Sequence, residues 1–168
     1  FYVSDEQASH GNRSLFVGAA TVLGRSIGYM EQGTVSMDVY VADPTMDMQL
    51  ELQTGYSNDE MQRTSPVKVK FVGGKMVGTD LQLQEGWNTI VLDVDLSESK
   101  ADLTINGNTA SLVNLLLGTR TEMLRDPLEP KPKEVTSDDI AFDSSIGKYI
   151  SWVRICPMQD IYMDNFLV

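Results

Sequence analysis

Hydrophobic and polar residues alternate with a period of two along most of this chain. Val35, Met37, Val39 and Val41 are interleaved with Ser36, Asp38 and Tyr40; Met46, Met48, Leu50 and Leu52 with Asp47, Gln49, Glu51 and Gln53; Val67, Val69 and Phe71 with Lys68 and Lys70. Successive side chains of a strand point to opposite faces, so the pattern predicts strands with one face in a core and the other in water. Further strands are expected at residues 1–4, 13–17, 75–77, 88–94 and 103–105. Residues 149–156 and 161–168 read as a closing antiparallel pair, turned at 157–160. Asp43-Pro44, Gly73-Gly74 and Asn106-Gly107 punctuate the run, and Asn-Gly is the strongest short hairpin signal. Residues 18–28 show no clear period, and helical spacing competes only at 112–117, where Leu112, Leu115 and Leu116 precede a capping Gly118. Residues 118–148, with Pro127, Pro130 and Pro132, read as a long loop excursion holding one short strand near 140–142.

Short strands with closely spaced turns and almost no amphipathic helix specify an all-β fold, a sandwich or a barrel. One-sided alternation requires each sheet to bury one face against a partner sheet. A βαβ plan is excluded, because helices of the needed length between strands are missing. Residues 1–168 are expected to form a single domain.

Three stretches carry a resemblance to a known family. Gly11-Asn12-Arg13-Ser14-Leu15-Phe16-Val17 resembles an opening found in many exported jelly rolls. Trp87 to Val94 followed by Ala101 to Gly107 resembles the Trp–strand–strand–Asn-Gly hairpin of concanavalin A-like (laminin G-like) domains. Ile161-Tyr162-Met163-Asp164-Asn165-Phe166 resembles their closing strand, which also occurs in jelly-roll carbohydrate-binding modules. The resemblance implies an all-β, two-sheet antiparallel jelly-roll β-sandwich that is a module of an extracellular or cell-surface, polysaccharide-processing protein. It also implies a structural Ca²⁺ held by Asp164, by carbonyls around residues 10–12 and by Asp5 or Glu6; calcium wants six to eight oxygens. The other reading of Asp164 is a hydrogen-bonded carboxylate pinning a neighbouring turn.

Charge and composition narrow the partners. The net charge of −11 excludes sequence-independent nucleic-acid binding, which needs a basic surface, and disfavours anionic membranes. No apolar run reaches the ~20 residues of a membrane helix, so no membrane insertion is expected. The chain begins at Phe1 with no signal-like segment, which reads as a mature protein or a piece of a larger multidomain one. Cys156 is the only cysteine and His10 the only histidine, so neither a disulfide nor a Cys/His zinc site can form within the chain.

The candidate function rests on the polar strand faces. Tyr40, Gln49, Glu51, Gln53, Lys68, Lys70, Trp152 and Arg154 are the candidate ligand-binding set. Sugars offer flat C–H faces that stack on aromatic rings, and hydroxyl pairs that suit Gln, Glu and Arg. The expected function is a non-catalytic carbohydrate-binding module whose partner is a polysaccharide or oligosaccharide. Two alternatives stand beside it: a glycoside hydrolase or lyase, and a structural or adhesion domain. A hydrolase needs two carboxylates across a groove, and Asp38 with Glu51 are candidates if β-strand neighbours. Yet the Glu-x-Asp-x-x-Glu run of lichenase-type jelly rolls is absent, as are the Arg/Gln/His/Tyr sets of jelly-roll alginate lyases, and no catalytic residue is assigned. The bland reading of the same face is a solvated sheet surface. Trp87 reads as a plug at the end of the sandwich, Tyr56 as a rim aromatic, and Asp138, Asp139 and Asp143 as a solvated charge run.

Overall fold

Among the described residues the chain forms fourteen strands, the alternating stretches among them, and one short 3-10 turn at Ser144–Ile146. The computed structural model describes residues 1–55, 64–124, 131 and 133–168, with all their side chains but those of Glu122 and Leu124. Tyr56, Pro127, Pro130 and Pro132 therefore lie outside the described residues. In chain order the strands are β1 (Tyr2–Ser4), β2 (Ser14–Val17), β3 (Leu23–Met30), β4 (Gln32–Val41), β5 (Met48–Gln53), β6 (Val67–Val72) and β7 (Lys75–Met76). They continue as β8 (Gly86–Asp95), β9 (Lys100–Ile105), β10 (Asn108–Ser111), β11 (Leu116–Leu124), β12 (Lys133–Ile140), β13 (Ile150–Pro157) and β14 (Ile161–Leu167).

Two antiparallel sheets form a sandwich. One has seven strands in the order β1-β2-β14-β4-β8-β9-β10, the other five in the order β3-β13-β5-β6-β7. Early strands pair with late ones in both sheets, β2 and β4 with β14, β3 and β5 with β13. This is the nested wiring of a jelly roll. The apolar parities meet between the sheets: Val35, Met37, Val39, Val41, Ile90 and Leu92 from one side, Met48, Leu50, Leu52, Val69 and Phe71 from the other, all essentially inaccessible to solvent. Burying a side chain of this size stabilises the fold by about 1.5–3 kcal/mol. The β9–β10 hairpin turns on Asn106 and Gly107, with φ of 50° and 84°, the two positive values a tight hairpin requires.

Several sequence expectations are corrected. β13 and β14 do not pair with each other; they lie in different sheets, and residues 157–160 carry the chain across the end of the sandwich. The backbone N–H of Met158 bonds the carbonyl of Asp47 at 2.9 Å, so this link runs beside the β4–β5 crossing. β4 and β5 likewise sit on opposite sheets, because the turn at Asp43, where the carboxylate accepts the Thr45 N–H and hydroxyl at 2.9 and 2.7 Å, folds the chain over the core. Residues 112–117 form no helix: Leu112 and Leu117 are buried on either side of a turn, with Asn114 at φ 60°. The excursion at 118–148 is largely a hairpin, β11 against β12, which forms a separate two-stranded sheet.

Candidate functional site

Opposed residues on neighbouring strands share a face. In the five-stranded sheet Trp152 stands opposite Ser26 and Gln53, Arg154 opposite Gly24 and Glu51, Glu51 opposite Lys68, and Gln49 opposite Lys70. Seven of the eight candidate residues therefore lie together on the outer face of one sheet, in rows ~4.8 Å apart across the strands. The eighth, Tyr40, does not. Its strand belongs to the seven-stranded sheet, where it points out on the opposite side of the molecule.

The central row alternates in charge. Arg154 Nη1 donates to Glu51 Oε1 at 2.7 Å. The other oxygen, Glu51 Oε2, accepts from Gln53 Nε2 at 2.7 Å and from the Ser65 hydroxyl at 2.6 Å. Both oxygens of Glu51 are thus engaged by fixed donors. Beyond Glu51, Lys68 pairs with Asp139 of β12, each side chain 23% exposed. Asp139 and Asp143, expected as a solvated run, have structural partners: Asp143 caps the 3-10 turn by accepting the Ser145 N–H at 2.9 Å.

Trp152 is half-buried and lies over Gly24 of the edge strand β3. A Cβ built on Gly24 would fall 2.5 Å from the indole Nε1. The missing side chain is what lets the ring settle onto the sheet, where it forms an aromatic plate at one margin of the face. A wall closes the other margin. The Lys68 N–H donates to the Ala141 carbonyl at 2.7 Å, the Ala141 N–H donates to the Leu115 carbonyl at 2.8 Å, and Val67 bridges Phe142. These contacts seat the base of the β11–β12 hairpin beside β6. Between wall and sheet lies a hollow of about 180 Å³, lined by Gln49, Glu51, Lys68, Lys70, Arg120 and Asp139 among others. That volume suits one six-membered ring. Sequence reasoning missed the wall and Arg120, because β11 and β12 are largely exposed and lack one-sided alternation.

The outer face of the seven-stranded sheet is built differently. Tyr2, Phe16, Tyr162, Tyr40 and Trp87 occupy one register across five adjacent strands. Their ring centroids are 4.8–6.1 Å apart, and from Phe16 to Trp87 the rings meet edge to face. Tyr40 is a member of this cross-strand ladder, and Trp87 is its half-buried last ring, not a plug in the core. The Tyr162 hydroxyl donates to Glu6, and this bond, with lesser help from burial, pushes the phenol up to about 12.

One row along, Asp38 and Asp164 stand opposite each other. Asp164 Oδ2 accepts the backbone N–H groups of Ser9 and His10 at 3.0 and 2.9 Å and the Ser9 hydroxyl at 3.2 Å; Oδ1 accepts the N–H of Asn165 at 2.8 Å. Burial pushes this carboxyl up, but the hydrogen bonds outweigh it and hold Asp164 below its ordinary value. The arrangement does not fit the calcium site implied by the family resemblance. The turn offers N–H donors to Asp164, where a calcium ion needs oxygen lone pairs, and Glu6 is committed to Tyr162. Among the described residues no cluster of three or more acidic, His or Cys side chains could hold a metal. Asp164 pins the residue 9–10 turn to the closing strand. Adding EDTA should therefore leave the melting temperature unchanged, whereas a rise of several degrees on adding calcium would restore the metal reading.

No protein-family model matches the chain, and no curated protein matches it. Among solved structures, a chain described as a sialidase superposes with a TM-score of 0.44 at 11% identity, over 93% of this chain and 16% of that one. This chain thus spans a small part of that protein's length.

Proposed function

We propose that the protein is a non-catalytic polysaccharide-binding module of the concanavalin A-like jelly-roll kind, working outside the cell or at its surface as part of a larger protein. The observation that carries this reading is the convergence on one walled sheet face of an aromatic plate, Trp152, with the hydrogen-bonding row Arg154, Glu51, Gln53 and Lys68. Stacking on the indole and bidentate bonding to the row are the two contacts a sugar ring makes at once. A binding role is favoured over hydrolysis by the state of the carboxylates. Glu51 is held by Arg154, Gln53 and Ser65, and Asp38, once its possible partner, lies on the other sheet.

Affinity electrophoresis through polysaccharide gels, followed by calorimetry on the retarding polymer, tests the reading. Trp152→Ala should weaken binding about tenfold or more, the worth of one stacked ring. Gly24→Ala provides a second arm that leaves the ring in the protein. The new methyl must displace the indole, so binding should fall while the melting temperature and far-UV spectrum hold and tryptophan fluorescence shifts. Unchanged binding in both variants would remove this face from the ligand site. Absence of binding to every polymer would favour the structural-domain reading.

A further inference from the structure

We infer that the ligand carries a carboxylate, an acidic sugar of the uronic-acid class, and that Lys70 is its anion contact; this rests on the polysaccharide-binding reading of the same face. The chain has 24 acidic residues against 13 basic ones, yet four cations, Lys68, Lys70, Arg120 and Arg154, converge around the hollow and its rim. Among the described residues, Glu51 and Asp139 are the carboxylates that line the hollow. Arg154 is satisfied by Glu51 and Lys68 by Asp139. Lys70 is half-buried beside Gln49 and has no carboxylate within 4 Å among the described residues. A partly desolvated ammonium in that position gains most from an incoming anion.

A neutral sugar would leave that charge unmatched, whereas a carboxylate on a ring seated in the hollow would give Lys70 the counter-charge that Glu51 gives Arg154 and Asp139 gives Lys68. The net charge of −11 sharpens the choice of anion. A densely sulfated polymer is repelled by the whole protein field, while one carboxylate read at close range, inside the screening length of ~8 Å, is not. Recognition is then local, one charged ring on the floor of the hollow with neighbouring rings extending toward Trp152.

Calorimetry with tri-galacturonate and with its carboxyl-reduced neutral counterpart tests the assignment. Wild type should bind the acidic trimer about tenfold more tightly than the neutral one, the order expected for one charge-assisted contact. Lys70→Gln should erase that preference and Lys70→Arg should keep it. Lys100→Gln, the same charge change on the other sheet beside Asp93 and Asp102, should leave both affinities where they were. Equal binding of the two trimers by wild type, or a preference that survives Lys70→Gln, overturns the inference while leaving the binding face intact. Tighter binding of heparin than of the acidic trimer overturns the choice of carboxylate. If neither trimer binds and Trp152→Ala changes the retardation of no polymer, the binding reading itself falls and the inference with it.

Discussion

Asp38→Ala should lower the melting temperature by roughly 6–12 °C, the equivalent of about 3 kcal/mol for a domain of this size. Asp38 is only 8% exposed. Its Oδ2 accepts from the Ser9 hydroxyl at 2.8 Å and from Asn165 Nδ2 at 2.7 Å, and its Oδ1 from the Thr89 hydroxyl at 2.8 Å. Those donors come from the residue 9–10 turn, from β14 and from β8, so one carboxylate ties three distant parts of the chain to β4. Removing it deprives three donors of a charged acceptor, and a hydrogen bond to a charged group is worth about 1.5–3 kcal/mol, not fully additive across one network. The effect also has a pH signature. Burial pushes Asp38 up, but the bonds from Thr89, Ser9 and Asn165 together prevail and hold its carboxyl below the ordinary value of 3.8; Asp164 is shifted in the same direction. A carboxyl whose folded value is depressed contributes stability above its unfolded value and loses it as pH falls through the folded one. The melting temperature should therefore be level down to about pH 5 and fall steeply below about pH 4, and the gap between wild type and Asp38→Ala should close over the same interval. A gap that is constant from pH 7 to pH 3 would mean the cost is packing, not charge.

How much of this could be read from the residues follows from what alternation encodes. It reports which parity of a strand faces the core, and there Val35 to Val41, Met48 to Leu52 and Val67 to Phe71 were legible without error. It does not report which sheet a strand joins, because inner faces look alike in both. That blindness placed Tyr40 with Glu51 and paired β13 with β14, when turns at residues 43–46 and 157–160 send each strand to the opposite sheet. The polar set from Gln49 to Lys70 survived because β5 and β6 are true neighbours, and Trp152 and Arg154 joined it because β13 pairs with β5. β3 was invisible for another reason. As an edge strand with Gly24, Gly28 and exposed Tyr29, it buries little of its length, and its inward-facing Arg25 lies over the Phe166 ring at 4.7 Å instead of adding to an apolar run. The role of Asp164 was legible only as a choice between metal ligand and turn anchor; the N–H groups of Ser9 and His10, which favour the anchor, are backbone atoms and leave no trace in side-chain type.

The other large effect should come from a single methyl group. Gly73-Gly74 announces a turn in sequence, but the two glycines are there for different reasons. Gly73 has φ of 58° and nothing within 4 Å of where a Cβ would stand; Gly74 has φ of 75°, and its Cβ would lie 1.5 Å from the Pro44 carbonyl oxygen. Gly73→Ala therefore costs only the left-handed backbone penalty of about 1–2 kcal/mol. Gly74→Ala adds a clash with backbone that cannot rotate away, and it forces apart the Gly74 N–H and the Met46 carbonyl, bonded at 2.9 Å. The Leu83 N–H, which reaches the Gly74 carbonyl at 2.8 Å, is lost with it. With about 1 kcal/mol for each bond, the total is about 4 kcal/mol, a fall in melting temperature of roughly 8–16 °C. Equal melting temperatures for the two variants would show that the loop at residues 43–46 yields freely. A larger loss at Gly74 would identify this contact as the clamp between the β6–β7 turn and the chain that crosses from one sheet to the other. The clamp bears on the polar face of the five-stranded sheet as well. A slip of one residue in β6 would turn Lys68 and Lys70 into the core and Val69 out of it, so the packing of a glycine against Pro44 helps decide that the two lysines lie on the outer face of the sheet.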